Sequence, residues 1–74
     1  MSQDSLEITR RLIAETLLIP QDSIQAHDEI AQLKNIDSLS FEMIIVAIET
    51  ETGKAIDPMR MFELKTVGDL ARLL

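Results

Sequence analysis

From Leu6 to Leu17 the apolar side chains recur at helical spacing. Ile8, Leu12, Ile13 and Leu17 cover roughly half of a helix circumference, a buried stripe, while Arg10, Arg11 and Glu15 fall largely outside it. A first helix is therefore expected from about Ser5 to Leu18, opened by the capping box Asp4-Ser5-Leu6-Glu7 and stopped by Pro20. The stretch from Pro20 to Ile36 is long and mixed. Asp22-Ser23-Ile24 predicts a single turn with Ile24 inserted, Ile30 and Leu33 are the other anchors, and Asp28 and Glu29 read as solvated. A loop of this length inside a small domain has to be pinned or functional.

The strongest apolar pattern runs from Ser38 to Thr52. Phe41, Ile44, Ile45 and Ile48 recur at i, i+3, i+4 and i+7 and should face the core. Leu39, Met43 and Val46 lie on another side, bordered by Glu42, Glu49 and Thr50. That second set has two readings, burial against a neighbouring helix or an exposed apolar strip rimmed with acid. Gly53 supplies the C-terminal stop. Asp57 then caps a short helix from Pro58 to Phe62 or Glu63, with proline at a tolerated first position. Met59, Met61 and Phe62 cannot all point inward from so short a helix, so they divide between core and cleft. Thr66-Val67-Gly68-Asp69 is a capping-box variant that opens a last helix through Leu74, packed down by Val67, Leu70 and Leu73.

Long helical periodicities with short breaks, two glycines and two prolines predict an all-α fold. The expected form is a small four-helix bundle, three longer helices plus one short one, with a long first loop. Seventy-four residues make one domain, residues 1–74, near the lower size limit for an unstapled core. With no tryptophan or tyrosine and only Phe41 and Phe62 as aromatics, that core is aliphatic. The chain stops on Leu73-Leu74 without a polar end, which suggests that a few tail residues are missing.

Thirteen acidic against seven basic residues give a formal charge of −6. This argues against nucleic acid and against anionic membranes, and favours partners with basic docking patches. No run approaches membrane-spanning length and the first residues lack the basic start of a secretory signal, so a cytoplasmic monomer is expected.

The catalytic inventory is thin. His27, the sole histidine, reads as a solvated loop residue, and there is no cysteine, glycine-rich phosphate loop or metal-ligand cluster. Asp37 is a good N-cap for the Ser38–Thr52 helix, which puts Ser38 at the first helical position, where free amides and the helix dipole favour an anion. Ser38 is then an ordinary early-helix serine or a hydroxyl that another enzyme modifies, because nothing here activates it as a nucleophile.

Asp37-Ser38-Leu39 at the head of such a helix, in a chain of this length, resembles the acyl carrier proteins. Phe62-Glu63-Leu64-Lys65-Thr66-Val67 leading into a last helix adds to the likeness, which covers nearly the whole chain in layout although the sharp motif is three residues long. The resemblance implies 4′-phosphopantetheine, derived from coenzyme A and covalently attached to Ser38, carrying acyl groups as thioesters in fatty-acid or polyketide-type biosynthesis. It implies that Asp37 caps the helix and helps place the transferase's metal, and that Leu39 packs at the base of the arm. It implies docking of a phosphopantetheinyl transferase and of acyl-transfer and synthase enzymes through Leu39, Glu42, Met43, Val46 and Glu49. Charge reversal at Glu42 or Glu49 should then weaken docking and leave the fold nearly unchanged. An acyl cavity is implied beside Phe41, Ile45, Met61 and Leu64. The protein would be a carrier and not itself an enzyme; the alternative is a small helical interaction module or a degenerate, unmodified carrier.

Two departures from the family pattern stand out. Members usually read Leu-Gly-x-Asp-Ser, whereas this chain has Leu33-Lys34-Asn35-Ile36-Asp37-Ser38, one residue longer and without glycine; Asn35 is the residue best suited to a left-handed turn in its place. The usual acidic residue at Met43 and apolar residue at Glu42 are exchanged, which points to a specialised set of partners.

Overall fold

The structure, a computed structural model, describes residues 3–61 and 63–74, with Gln3, Pro58 and Met61 described by their backbone alone. Four α-helices, α1 (Gln3–Leu17), α2 (Ser38–Thr52), α3 (Pro58–Met61) and α4 (Val67–Ala71), are joined by loops that include the 3₁₀ turns Gln21–Ser23 and Ile30–Gln32. Among the described residues there is no strand, only an isolated antiparallel bridge between Glu29 and Thr66. The fold is all-α, with two long helices rather than three. α4 is five residues long, because Leu73 and Leu74 bond back to Leu70 and Ala71 in the tighter i→i+3 manner. α3 is a single turn, and Phe62, where it was expected to end, lies outside the described residues.

α1 packs against both α2 and α4. Its buried face centres on Thr9, Ile13 and Leu17, while Ile8 is only half-buried, one position off the stripe. Thr9 is buried without penalty because its hydroxyl donates to the Ser5 carbonyl (2.8 Å). The expected cap at Asp4 is not formed: Asp4 lies inside the helix, and Glu7 instead pairs with Arg10 (2.7 Å) and accepts from the Gln21 side chain (3.3 Å). α1 ends in a Schellman turn. Leu18 takes the left-handed conformation (φ 58°), and the Ile19 amide reaches back to the Ala14 carbonyl (3.2 Å).

The long first loop is pinned from three sides. Ile24 and Ile30 are buried in the core with Ile44, Ile45, Ile48, Val67 and Leu70. Arg10, which lies outside the apolar stripe, is folded against the loop, where Nε donates to the Ile24 carbonyl (2.8 Å) and Nη2 to the Gln21 carbonyl (2.9 Å). A backbone seam then ties the loop to the start of α4. Ile30 donates to the Lys65 carbonyl (2.8 Å), Val67 to Asp28 (3.0 Å) and Gly68 to Ala26 (2.8 Å). Gly68 suits this seam because a Cβ there would sit 3.2 Å from the Ala26 oxygen.

Candidate functional site

The loop delivers the chain to α2 through a left-handed residue. Asn35 has φ 70°, the conformation that favours glycine, and its side-chain amide donates to the Leu17 carbonyl at the end of α1 (2.9 Å). Asparagine thus supplies both the turn and a tie that glycine could not make.

Asp37 follows in extended conformation and caps α2. Its carboxylate accepts from the Ser40 amide (2.7 Å) while the Ser40 hydroxyl accepts from the Asp37 amide (2.8 Å), a reciprocal capping box. The Ser40 hydroxyl also donates to the Asp37 carboxylate (2.9 Å). The Ser40 amide and then its hydroxyl hold the Asp37 carboxyl below its ordinary value of 3.8. The part played by Ser40 was readable in principle, as serine three residues after an acidic cap, but it is a weaker signal than glutamate or glutamine there.

Ser38 occupies the first position of α2 and is exposed. Among the described residues its hydroxyl has no hydrogen-bond partner and no histidine or carboxylate activates it. Chemically it is an available acceptor rather than a nucleophile equipped for catalysis. His27 is far exposed, 3.9 Å from the Asp28 carboxylate, and no group of residues that could hold a metal is found among the described residues.

Beside Ser38 lies a groove of about 510 Å³ whose walls are mostly apolar, from Ile30, Ala31, Ile36, Phe41 and Leu64. Asp37, Ser38, Glu29 and Lys65 complete its lining. Of the residues assigned to an acyl cavity, Phe41 and Leu64 therefore border one space next to Ser38. Ile45 is not among the residues that line this groove and is buried in the core, on the face of α2 that also carries Ile44 and Ile48. The Met61 side chain lies outside the described residues. Ile30, Ala31 and Ile36 were missed as walls, since only the seam between the first loop and α4 brings the Ile30 turn to the groove.

On the outer face of α2, Leu39, Met43 and Val46 each keep half or more of their surface exposed. This settles the two readings of the second apolar set in favour of an exposed strip. Glu42 is exposed beside it. Glu49, at the border of the same strip, is half-buried, and its carboxylate accepts from the Ile56 amide (2.8 Å), closing the loop after α2. Reversing its charge would disturb that loop, so the expectation of an unchanged fold holds no longer for Glu49. Glu51 is paired with Arg11 of α1 (2.9 Å).

A small helical unit that exposes a serine hydroxyl at the head of its central helix has the form of a carrier domain. The family model for the phosphopantetheine attachment site matches residues 7–74, and the chain belongs to that family. Its members attach 4′-phosphopantetheine covalently and work with transferases and synthases in general. A comparison with curated proteins found no match.

The residues present fit that group. Ser38 offers an accessible oxygen, the positive end of the α2 dipole suits a phosphate, and the adjoining apolar groove leaves room along the surface for what is attached.

Proposed function

We propose that this chain is an acyl carrier, loaded at Ser38 with 4′-phosphopantetheine and serving fatty-acid or polyketide-type biosynthesis in the cytoplasm. The observation that carries the reading is the exposed Ser38 hydroxyl at the first position of α2, without a hydrogen-bond partner among the described residues. In loading, its oxygen bonds to the phosphorus of coenzyme A's pyrophosphate nearest the pantetheine, the pyrophosphate bond breaks with adenosine 3′,5′-bisphosphate as the leaving group, and the hydroxyl proton leaves to solvent or the transferase. The attached arm supplies a terminal thiol for thioesters, a group this cysteine-free chain lacks. Asp37 keeps the first turn ordered so that the hydroxyl is presented in one place.

Transferase and synthase enzymes would dock on Leu39, Glu42, Met43 and Val46, next to Ser38 on the same helix. The apolar strip supports burial against a partner, and the excess of acid supports attraction to a basic rim. An unmodified interaction module would use the same strip, so the decisive experiment concerns the hydroxyl. After incubation with coenzyme A and a broad-specificity phosphopantetheinyl transferase, the intact mass should rise by one arm, and Ser38→Ala should abolish the gain. Absence of any gain, with the protein folded and the enzyme active on a control carrier, refutes the carrier reading.

A further inference from the structure

One basic residue, Lys65, is among the described residues that line the groove beside Ser38. The backbone of Lys65 is held at both ends: its carbonyl accepts from the Ile30 amide (2.8 Å) and its amide donates to the Asp69 carboxylate (3.0 Å). Its ammonium, by contrast, has no ion-pair or hydrogen-bond partner among the described residues. A lysine at a rigid backbone position, with a free head group, borders the same space as the serine hydroxyl.

The charges around it make this placement consequential. Asp37 and Glu29 line the same groove, and the molecule as a whole carries −6. The Asp37 carboxylate stays charged near neutrality because Ser40 stabilises its anion, so it cannot relieve repulsion by taking a proton. A phosphodiester on the next residue adds another fixed negative charge at this spot. Because Ser38 itself is part of the lining, whatever is joined to it meets the groove first with its proximal atoms. In phosphopantetheine those are the phosphodiester and then a carbon bearing paired methyl groups, whereas the sulfur is at the far end.

Taking Ser38 as the attachment point, we propose that the groove receives the base of the phosphopantetheine arm, with the Lys65 ammonium countering the phosphodiester and Ile36, Phe41 and Leu64 covering the dimethyl-substituted carbon. Charge and apolar surface are then matched in the order in which they occur along the arm. The holo protein holds the root of its arm against the body, and the distal half stays free to reach partner enzymes. Lys65 is a positioning residue in this arrangement.

The test uses holo protein labelled with carbon-13, carrying an unlabelled arm and confirmed by intact mass. Isotope-filtered NOE spectra should show contacts from the paired methyl groups to Phe41 and Leu64. In holo Lys65→Gln and Lys65→Glu these contacts should be lost, and in Lys65→Arg they should be retained. They should also weaken at 1 M salt, where the screening length is about 3 Å. The amide spectra of the variants away from the groove should match the parent, separating loss of the contact from loss of the fold. Contacts that are absent in the parent, that persist unchanged in Lys65→Glu, or that come from the sulfur end of the arm or from a loaded acyl chain alone overturn the proposal. A protein that gains no mass at Ser38 refutes the carrier reading itself, and this inference with it.

Discussion

The carboxylates of Asp37 and Asp69 show how single side chains set the acid limit of this fold. Asp37 is held below its ordinary value by the amide and hydroxyl of Ser40, and Asp69 by the amides of Thr66 and Lys65, with a smaller contribution from Arg72. A carboxyl whose folded-state value is depressed stabilises the protein above its unfolded value and loses that contribution as the pH falls through the folded one. The urea midpoint should therefore hold steady from neutrality down towards 3.8 and then fall. Asp37→Asn combined with Asp69→Asn should flatten that fall, and an unaltered acid limb in the double variant would show that other groups control it. Leu18 tests the opposite kind of residue. It holds a left-handed conformation while its side chain is 86% exposed, so strain is present with little packing to offset it. Leu18→Gly removes about 1–3 kcal/mol of strain and adds about 0.4–1 kcal/mol of chain entropy to the unfolded state. The net expectation is a gain on the order of 0.5–1 kcal/mol in urea unfolding, and a measured loss would mean that Leu18 makes contacts its exposure does not suggest.

At the level of elements, α2 serves two surfaces at once. Ile44, Ile45 and Ile48 are buried towards α1 and the loops, whereas Leu39, Met43 and Val46 face outward. Ile44→Ala should lower stability by roughly 2–5 kcal/mol, the range for truncating a fully buried isoleucine. The acidic positions of the helix should separate just as clearly. Glu42→Lys changes an exposed side chain and should alter stability by no more than about 0.5 kcal/mol. Glu49→Lys strands the half-buried Ile56 amide and should cost about 1–3 kcal/mol. Equal urea midpoints for these two variants would contradict the hydrogen bond that closes the loop after α2. The same comparison marks what the sequence could reveal. Apolar period, the Asp37 cap, the Gly53 stop and the Thr66–Asp69 box are local patterns, and all are legible within a few residues. The bonds from Arg10 to the first loop and from Glu49 to Ile56 join positions with no periodic relation, so the apolar pattern puts Arg10 outside the stripe and Glu49 at the border of the second set without revealing either tie.

Across the whole molecule, the seam between the first loop and the start of α4 is what turns separate helices into a site. It carries the Ile30 turn to Leu64 and Lys65, so that these residues line one groove with Phe41. None of this was legible in the sequence, because pairing between residues 26–30 and 65–68 leaves no mark on apolar period; the position of Ser38, set by its own helix, did. Gly68 is a residue on which the seam closes tightly. In Gly68→Ala the added Cβ would meet the Ala26 oxygen at 3.2 Å, the same oxygen that the residue 68 amide must reach at 2.8 Å. Two effects then oppose each other: alanine favours the helix by about 0.8–1.0 kcal/mol, and crowding of a packed contact costs about 1–3 kcal/mol. Crowding should prevail by a small margin in total stability. The local consequence is larger, since relieving the contact lengthens the hydrogen bond itself. Hydrogen exchange should accelerate at residue 68 and at the neighbouring Val67 and Ile30 amides, with the middle of α2 unchanged. Exchange that quickens equally throughout the protein would mean that the seam has no separate opening and unfolds only with the core.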